Sequence, residues 1–457
     1  LVVVGAGISG LTVAFELIQR AERLTEGLQI HCIEGSPRAG GNIRTAREES
    51  FLCEWGPTGF LDNAPATLTL ARRLQLGGRL LPAGPQAADR FIYRAGKLRR
   101  VPTTPLSFLA SSILPIGGKL RLLCEPLAKS RKGARAEAIF DFASRRIGRQ
   151  AAELLVDAMV SGIYAGDIRQ LELGATFPKM QRMEDEHGSL FRAMLALRKQ
   201  GRGGGPAGPG GRLTSFRDGL QELTDALARA LGDRLLLNLP VERISDMGVR
   251  GLRVHLAEGA PIDADAVIIA CPSWEAAKVV QAMDTEMSNA MAGIPSAPLV
   301  VAHLGYRSDA LGRPFKGFGF LVPRGQGPRI LGGLWISSIF EGRASEGRFL
   351  TTVMIGGAHD PGAVELDDEE LMSIILSDLI ATMGIAAKPY FARLIRHARG
   401  IPQYTLGHSE RLARIGSRLE KHPGLWVSGN SYRGISVNAC IEEAPKIAEQ
   451  VLDYLAG

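Results

Sequence analysis

The sequence predicts a chain that is α/β at its two ends and α+β between them. It falls into a domain built on a parallel sheet, a mixed-sheet domain and a helical region. Three observations carry this. Residues 1–45 hold an apolar strand, a glycine turn and a helix in direct succession. A second strand–turn–helix opens at Gly424 near the end of the chain. Between them, helical periodicity over 102–198 gives way to alternating strands over about 296–395.

At 457 residues the chain is too long for one ordinary domain, and its 45% hydrophobic content is enough for a substantial core. The net charge of +7 points to an anionic partner. With no nucleic-acid module and no dense basic block, acidic lipid or an acidic substrate is the expectation. Cys32, Cys53, Cys124, Cys271 and Cys440 are scattered without C-x-x-C spacing. They read as reduced thiols in a cytosolic compartment, which excludes a disulfide framework and a zinc site. No run reaches the ~18–20 apolar residues of a membrane span, and no signal peptide is visible. The chain begins at Leu1, inside its first strand, so a short segment is expected to precede it.

Val2 to Val4 read as a buried strand. It passes into Gly5-Ala6-Gly7-Ile8-Ser9-Gly10 and then a helix with Leu11, Val13, Ala14 and Leu17 apolar. This G-x-G-x-x-G turn, in its strand-and-helix context, signals a dinucleotide. Gly5 allows the tight turn, Gly7 admits a pyrophosphate and Gly10 lets helix and strand pack closely, while the helix N-terminus offers N–H groups to phosphate. The second strand, Gln29–Ile33, ends at Glu34, placed to accept from ribose hydroxyls. A polar insertion at Arg20–Gly27 lengthens the gap. The first domain is therefore Rossmann-like. After Glu34 comes Gly35-Ser36-Pro37-Arg38-Ala39-Gly40-Gly41-Asn42, a basic residue followed by a glycine pair. It resembles the second fingerprint of the FAD-binding amine oxidase-like superfamily, which implies FAD rather than NAD.

Phe51 to Gly59 reads as a strand ending in the turn Gly56-Pro57-Thr58-Gly59, which the resemblance sets beside the flavin. A helix at about Ala64–Leu74 precedes two short strands. The second contains Arg90, Phe91 and Ile92 and turns at Ala95-Gly96 into Lys97–Val101. On letters alone, Arg90 is equally a solvated strand-edge arginine or a ligand-binding one. From 102 to 198 helices dominate. The apolar, proline-bounded stretch Pro105–Pro115 and the basic stretch Lys129–Arg135 suit an interfacial, non-spanning membrane contact. A core helix followed by a solvated basic loop explains the same letters. Helices at Ile139–Arg146 and Ala151–Gly162 lead to Tyr164-Ala165-Gly166-Asp167, and Lys199–Arg212 reads as a glycine-proline linker.

Thr214 to Leu220 is expected to open an amphipathic helix with Leu220, Leu223 and Leu227 on one face. Strands at Leu235–Leu239, Val241–Ile244, Leu252–Leu256 and Ala266–Ala270 restore the α/β style. The antiparallel strands are Leu299–Tyr306, Gly319–Val322, Ile330–Trp335 and Phe349–Ile355. Gly424–Asn430 is the last strand and turn, before a helix at Ala439–Leu455 whose N-terminus can stabilise negative charge.

Five interior segments add to the fingerprints: Arg90-Phe91, Tyr164–Asp167, Phe318–Pro323, Val353–Gly357 and Ile401–His408, together with the Val437-Asn438 helix start. Over nearly the whole chain they resemble the FAD- and oxygen-dependent protoporphyrinogen oxidase family. The resemblance implies a non-covalent FAD contacted by Gly5, Ala6, Gly7, Ile8, Ser9 and Gly10, by Glu34, Gly35, Gly41 and Asn42, and by Gly56, Pro57, Thr58 and Gly59. Val241, Gly429, Ile435, Ser436 and Val437 complete that set. Asn42 stands where some members carry an aromatic residue, and Thr58 where some carry arginine. For the tetrapyrrole substrate, the resemblance implies that Arg90 grips a propionate, that Phe318 and Leu321 sandwich a pyrrole ring, and that Met354 packs on the macrocycle. Gly166 and Gly319 would border it.

The implied reaction, in haem synthesis, is hydride transfer from the porphyrinogen to flavin in three two-electron cycles, with O₂ reduced to H₂O₂. No acid–base residue and no metal are expected, and His408 reads as structural. A coproporphyrinogen oxidase of the same type, an amine oxidase or desaturase, and a flavin- or haem-carrying scaffold without turnover remain alternatives. Expected partners are a peripheral contact with the cytoplasmic membrane, a second copy of the chain and a ferrochelatase that takes the product. The expected division is an FAD-binding domain (1–75, 211–285, 396–457), a substrate domain (76–101, 286–395) and a helical, membrane-contacting region (102–210).

Overall fold

The computed structural model describes residues 1–24, 27–131, 136–199, 211–248 and 251–457. Most of the expected linker, part of the polar insertion and the end of the basic stretch lie outside the described residues.

A five-stranded sheet organises the two ends of the chain. Its order is Leu235–Leu236, His31–Ile33, Val2–Val4, Val267–Ile269, Leu425–Val427, and every pairing is parallel. Val2–Val4 lies in the middle with both faces covered, which is why it reads as an unbroken apolar run. Val3 packs among Leu11, Leu17, Ile441 and Ala448, from the helices Ile8–Leu24 and Val437–Ala456. Val2 and Val4 face Met287, Ile294 and Val280 on the other side. The chain adds strands first to one side of Val2–Val4 and then to the other. That reversal opens a crevice at the carboxyl ends of the strands, where such sheets take ligands.

One expectation fails here. Residues Leu213–Phe216 form a strand, not the start of a helix, and pair with Phe60–Leu61 and Leu80–Pro82. Gly219, at φ +104°, breaks the chain before the helix Gln221–Leu231. The β-compatible Leu-Thr-Ser-Phe run is captured by two edge strands that lie far away in sequence.

The second sheet has seven strands in the order Phe391–Pro402, Ser296–Arg307, Arg348–Gly356, Ile330–Leu334, Gly319–Leu321, Arg90–Arg94, Lys97–Arg100. All pairs are antiparallel except Arg90–Arg94 with Gly319–Leu321, so the sheet is mixed. Phe391–Pro402 belongs to it along its whole length and runs through position 396, where the sequence reading divides the domains. The helix Asp368–Met383 covers one face through Leu371, Ile375 and Leu379, packed with Val300, Ala302 and Val353.

The region between 102 and 199 is helical. Its interior is tied by charge, because Arg146 is fully buried and its Nε donates to Glu125 Oε1 at 2.8 Å. Glu125 also accepts from the Ser189 hydroxyl at 2.6 Å and from Leu190 N at 2.9 Å, which caps the helix Leu190–Lys199. Burial pushes the Glu125 carboxyl up, but these donors outweigh it and hold the group below its ordinary value. All five cysteines are free. Among the described residues no helix is long and apolar enough to cross a membrane.

Removing Glu125 leaves the buried Arg146 with the longer contact to Glu184, at 3.3 Å, in place of its closest carboxylate. Glu125→Ala should therefore lower stability by about 3–5 kcal/mol, measured by chemical denaturation. A change below ~1 kcal/mol, the scale of an exposed ion pair, would mean that Arg146 is neutralised by other contacts.

Candidate functional site

The crevice is shaped by glycines whose missing side chains have separate reasons. A Cβ on Gly10 would lie 1.9 Å from the Gly5 carbonyl oxygen and 3.1 Å from Ala270 Cβ, so the opening helix could not dock. Gly5, at φ +102°, makes the turn beneath it. Gly7 differs, since no protein atom lies within 4 Å of where its Cβ would be. Packing does not demand a glycine there, and the space it leaves open faces the crevice.

The second fingerprint folds directly against this turn. Gly40 N–H donates to the Ala6 carbonyl at 2.7 Å, and a Cβ on Gly41 would stand 3.3 Å from Gly7 Cα. Arg38 holds the loop shut by donating to the carbonyls of Ala39 (2.8 Å) and Ile43 (3.2 Å). Its positive charge is thus spent on the loop's own backbone. Glu34 Oε2 accepts from Ala6 N at 2.8 Å, and its Oε1 accepts from Ser36 N at 3.0 Å. Gly35 sits against Pro240, just before the strand Val241–Asp246.

The remaining predicted cofactor residues close around the same crevice. A Cβ on Gly56 would lie 2.4 Å from the Asn42 carbonyl oxygen, so the turn of Gly56, Pro57, Thr58 and Gly59 abuts the fingerprint. At the other side a Cβ on Gly429, at φ +129°, would lie 3.8 Å from Ser9 Oγ. Ser436 caps the helix Val437–Ala456 by accepting from Ala439 N at 3.1 Å. Ile435 is half-buried and Val437 buried beside that cap. Two helix N-termini, at Ile8 and Val437, therefore converge on one crevice, as binding of an anionic dinucleotide requires. The open space at Gly7 and the carboxylate at Glu34 fit FAD.

Of the predicted substrate residues, Arg90, Gly319, Leu321 and Met354 share one face of the seven-stranded sheet. Ile92, Leu321, Gly332, Met354, Val301 and Ile395 form a continuous cross-strand row of directly opposed partners. Residues in such a row share a face. Ile92 and Leu321 pack with Leu155 and Ala158 of the helical region. At the far end, Trp55 packs against Leu299, Val301 and Ile395, the cluster that also receives Met354. Trp55 immediately precedes Gly56, so the apolar face and the nucleotide crevice meet there. Leu321 and Met354 stay half-buried between the two ends.

Arg90 is opposite Gly319 in the sheet register, and its guanidinium lies 4.9 Å from the centre of the Phe318 ring. Arg90 is exposed at the start of its strand; desolvation by its surroundings lowers its pKa, and no carboxylate contributes to that shift. Gly319, at φ +136°, passes so close to the next strand that a Cβ would lie 2.0 Å from the Gly333 carbonyl oxygen. Gly166 is buried, and a Cβ there would meet Gln403 Oε1 at 2.5 Å and Leu171 Cδ1 at 2.8 Å.

Several residues of the site carry no motif of their own. Trp55 is stacked by the Arg44 guanidinium at 3.6 Å. In the helix Asp157–Tyr164, Gly162 packs against Leu321, whose Cδ2 would lie 2.5 Å from an added Cβ. Ile163, beside it, is exposed. Glu54 is pushed up to about 7 by burial, with Arg343 opposing the shift, but its oxygens are engaged by Thr45 and Leu220 N. It ties the turn in place. His303, buried and pushed down to about 4, likewise bonds to the Glu54 carbonyl and the Thr352 hydroxyl. Among the described residues there is no cluster able to hold a metal ion.

Residues 8–452 match the family model of flavin containing amine oxidoreductases. The chain is 27% identical to a coproporphyrinogen III oxidase of Bacillus subtilis, covering 99% of this chain and 98% of that protein. It is 32% identical to a chloroplastic protoporphyrinogen oxidase of Oryza sativa, covering 99% of this chain and 88% of that protein. A crystal structure from Exiguobacterium sp. 255-15, provisionally described as a protoporphyrinogen oxidase, superposes with a TM-score of 0.84. It shares 25% identity and covers 100% of this chain and 98% of its own.

The open space at Gly7 generates a sharp expectation. Gly7→Val should cost the apoprotein no more than about 1 kcal/mol, the scale of a changed helix cap, while FAD retention is lost. Flavin absorbance after gel filtration, set beside the apoprotein melting curve, checks both halves. A fully yellow variant would contradict the assignment.

Proposed function

The chain belongs to the flavin-containing amine oxidoreductase family, and we propose from that premise that it oxidises protoporphyrinogen IX to protoporphyrin IX with O₂ as acceptor. The observation that carries this reading is the joint arrangement of Arg90, the apolar face and Trp55. A porphyrinogen needs a broad apolar surface for its macrocycle and a cation at its carboxylate edge. Leu321 and Met354 offer the surface, and Arg90, with no carboxylate partner shifting its pKa, offers the cation at one end. A guanidinium suits a propionate because it can donate in parallel to both oxygens.

Bound non-covalently, the flavin supplies hydride acceptance and passes the electrons to O₂. The residues of this chain bind, orient and shield. Arg90 and Phe318 fix the carboxylate edge, which sets how far the macrocycle extends along the row toward Trp55. Leu321 and Met354 exclude water from its face. Six hydrogens leave the porphyrinogen in three two-electron steps, balanced by three O₂ reduced to three H₂O₂. The neighbouring ionisable groups, Glu54 and His303, are engaged in internal hydrogen bonds, which suits a reaction that asks no proton transfer of the protein.

The similarity to a coproporphyrinogen III oxidase favours a second reading, with a four-carboxylate substrate. The apolar character of Leu321 and Met354 supports the vinyl-bearing substrate instead. Parallel assays on the two porphyrinogens, followed by porphyrin fluorescence against an enzyme-free control, decide it. Faster formation of protoporphyrin is expected, and faster formation of coproporphyrin would move the assignment to the second reading.

A lipid contact is part of the same proposal. Leu106, Ile116 and Leu127 are 80%, 77% and 81% exposed, with Leu120 and Leu123 exposed between them and Lys129 beside them. Such an apolar strip with adjacent positive charge fits the interface of an anionic bilayer.

Two measurements follow from these assignments. Arg90→Ala should raise the porphyrinogen KM by about 10–100-fold, the scale of a charge-assisted hydrogen bond, with flavin content unchanged. An unaltered KM would remove Arg90 from the site. The protein should also float with vesicles containing phosphatidylglycerol, and Ile116→Glu with Leu120→Glu should abolish this. Wild-type protein that stays at the bottom of the gradient would refute the contact.

A further inference from the structure

The segment Ile401–His408 runs between the two halves of the site and has no role in the chemistry described so far. Gln403, Tyr404 and His408 on it are all buried. Gln403 turns toward the substrate side, where its Nε2 donates to the Tyr164 carbonyl at 2.7 Å and its Oε1 lies over Gly166. Tyr404 turns toward the crevice. Its hydroxyl donates to the Asn430 carbonyl at 2.6 Å and accepts from Gly434 N–H at 2.8 Å. It thereby pins both ends of the turn that carries Gly429 into the cap of the helix Val437–Ala456. His408 stacks flat on the Tyr404 ring, with centroids 4.1 Å apart and planes at 16°, and its Nε2 meets the Tyr432 carbonyl at 3.1 Å. Two adjacent side chains thus grip the substrate-side segment and the crevice-side turn.

We propose that Tyr404 is a positioning residue for the flavin. Its hydroxyl holds the turn Asn430–Gly434 in the shape that meets the cofactor, and Gln403 links that turn to Tyr164–Gly166 across one peptide. This rests on the flavin reading of the crevice. The turn has reason to need an external hold, because Gly434 sits at φ +95° and Asn430 and Gly434 are only half-buried. Freed of the hydroxyl, their N–H and C=O can turn to water, so the loss falls on the turn more than on the fold. The ring itself packs edge-on to Tyr164 at 6.2 Å, and phenylalanine preserves that packing.

The test compares wild-type and Tyr404→Phe apoproteins by FAD titration and by hydrogen exchange. The variant should bind FAD about tenfold more weakly, the scale of one lost hydrogen bond. Amide exchange should accelerate in the peptide spanning 429–436 while the opening helix keeps its protection. A purely structural tyrosine would lower the melting temperature and leave FAD affinity unchanged, and that result overturns the proposal. Should Tyr404→Phe not fold, amide exchange of the wild-type protein carries the test: the Gly434 N–H, which donates to the Tyr404 hydroxyl, should gain protection when FAD binds, and exchange over 429–436 that FAD leaves unchanged overturns the proposal. Failure of the wild-type apoprotein to bind FAD would defeat the flavin reading itself, a separate outcome.

Discussion

The close approach of the opening helix to the first strand is the constraint on which the rest depends. At Gly10 the backbones come so near that not even a methyl group fits between them. That contact sets the angle of the helix Ile8–Leu24, which in turn receives the helix Val437–Ala456 along its length. Both N-termini are then fixed on one crevice. The Gly40–Ala6 hydrogen bond and the contact of Gly56 with Asn42 are further layers laid on the same turn. Each later segment finds its place relative to a backbone that was already positioned.

The second consequence is the join between the two sheets. Trp55 leaves the turn that faces the crevice and packs on the cluster that receives Met354. Glu54, one residue earlier, is held by Thr45 and Leu220, so the tryptophan starts from a fixed point. On the proposed reading, a substrate that lies along Leu321 and Met354 is aimed at the crevice by the register of the sheet.

Much of this was legible in the letters, and the reasons are local. Gly5 to Gly10, Glu34 and the Gly40-Gly41 pair act within short stretches, so their spacing alone carries their geometry. The Arg90 hairpin was equally visible from its alternation and its Ala95-Gly96 turn. The features that escaped depend on partners far away in sequence. Leu213–Phe216 becomes a strand because Phe60–Leu61 and Leu80–Pro82 are there to pair with it. Arg38 is a local exception: it reads as a basic residue before a glycine pair, and the carbonyls it closes on, those of Ala39 and Ile43, lie within five residues of it. Trp55 shows only as an aromatic beside a turn, and the reach of Tyr404 to Asn430 and Gly434 leaves no mark in sequence spacing. Gly166 and Gly319 were legible as special positions, while the Gly333 carbonyl that requires glycine at 319 was not.

The most direct test is an anaerobic reaction in which each flavin accepts electrons only once. Flavin-loaded protein in excess is mixed with protoporphyrinogen IX, and flavin absorbance and porphyrin fluorescence are followed together. The arrangement of Arg90, Met354 and Trp55 predicts that the flavin bleaches as the porphyrin appears, with three flavins reduced for each porphyrin formed. A flavin that stays oxidised, with porphyrin appearing no faster than in the protein-free control, would contradict it.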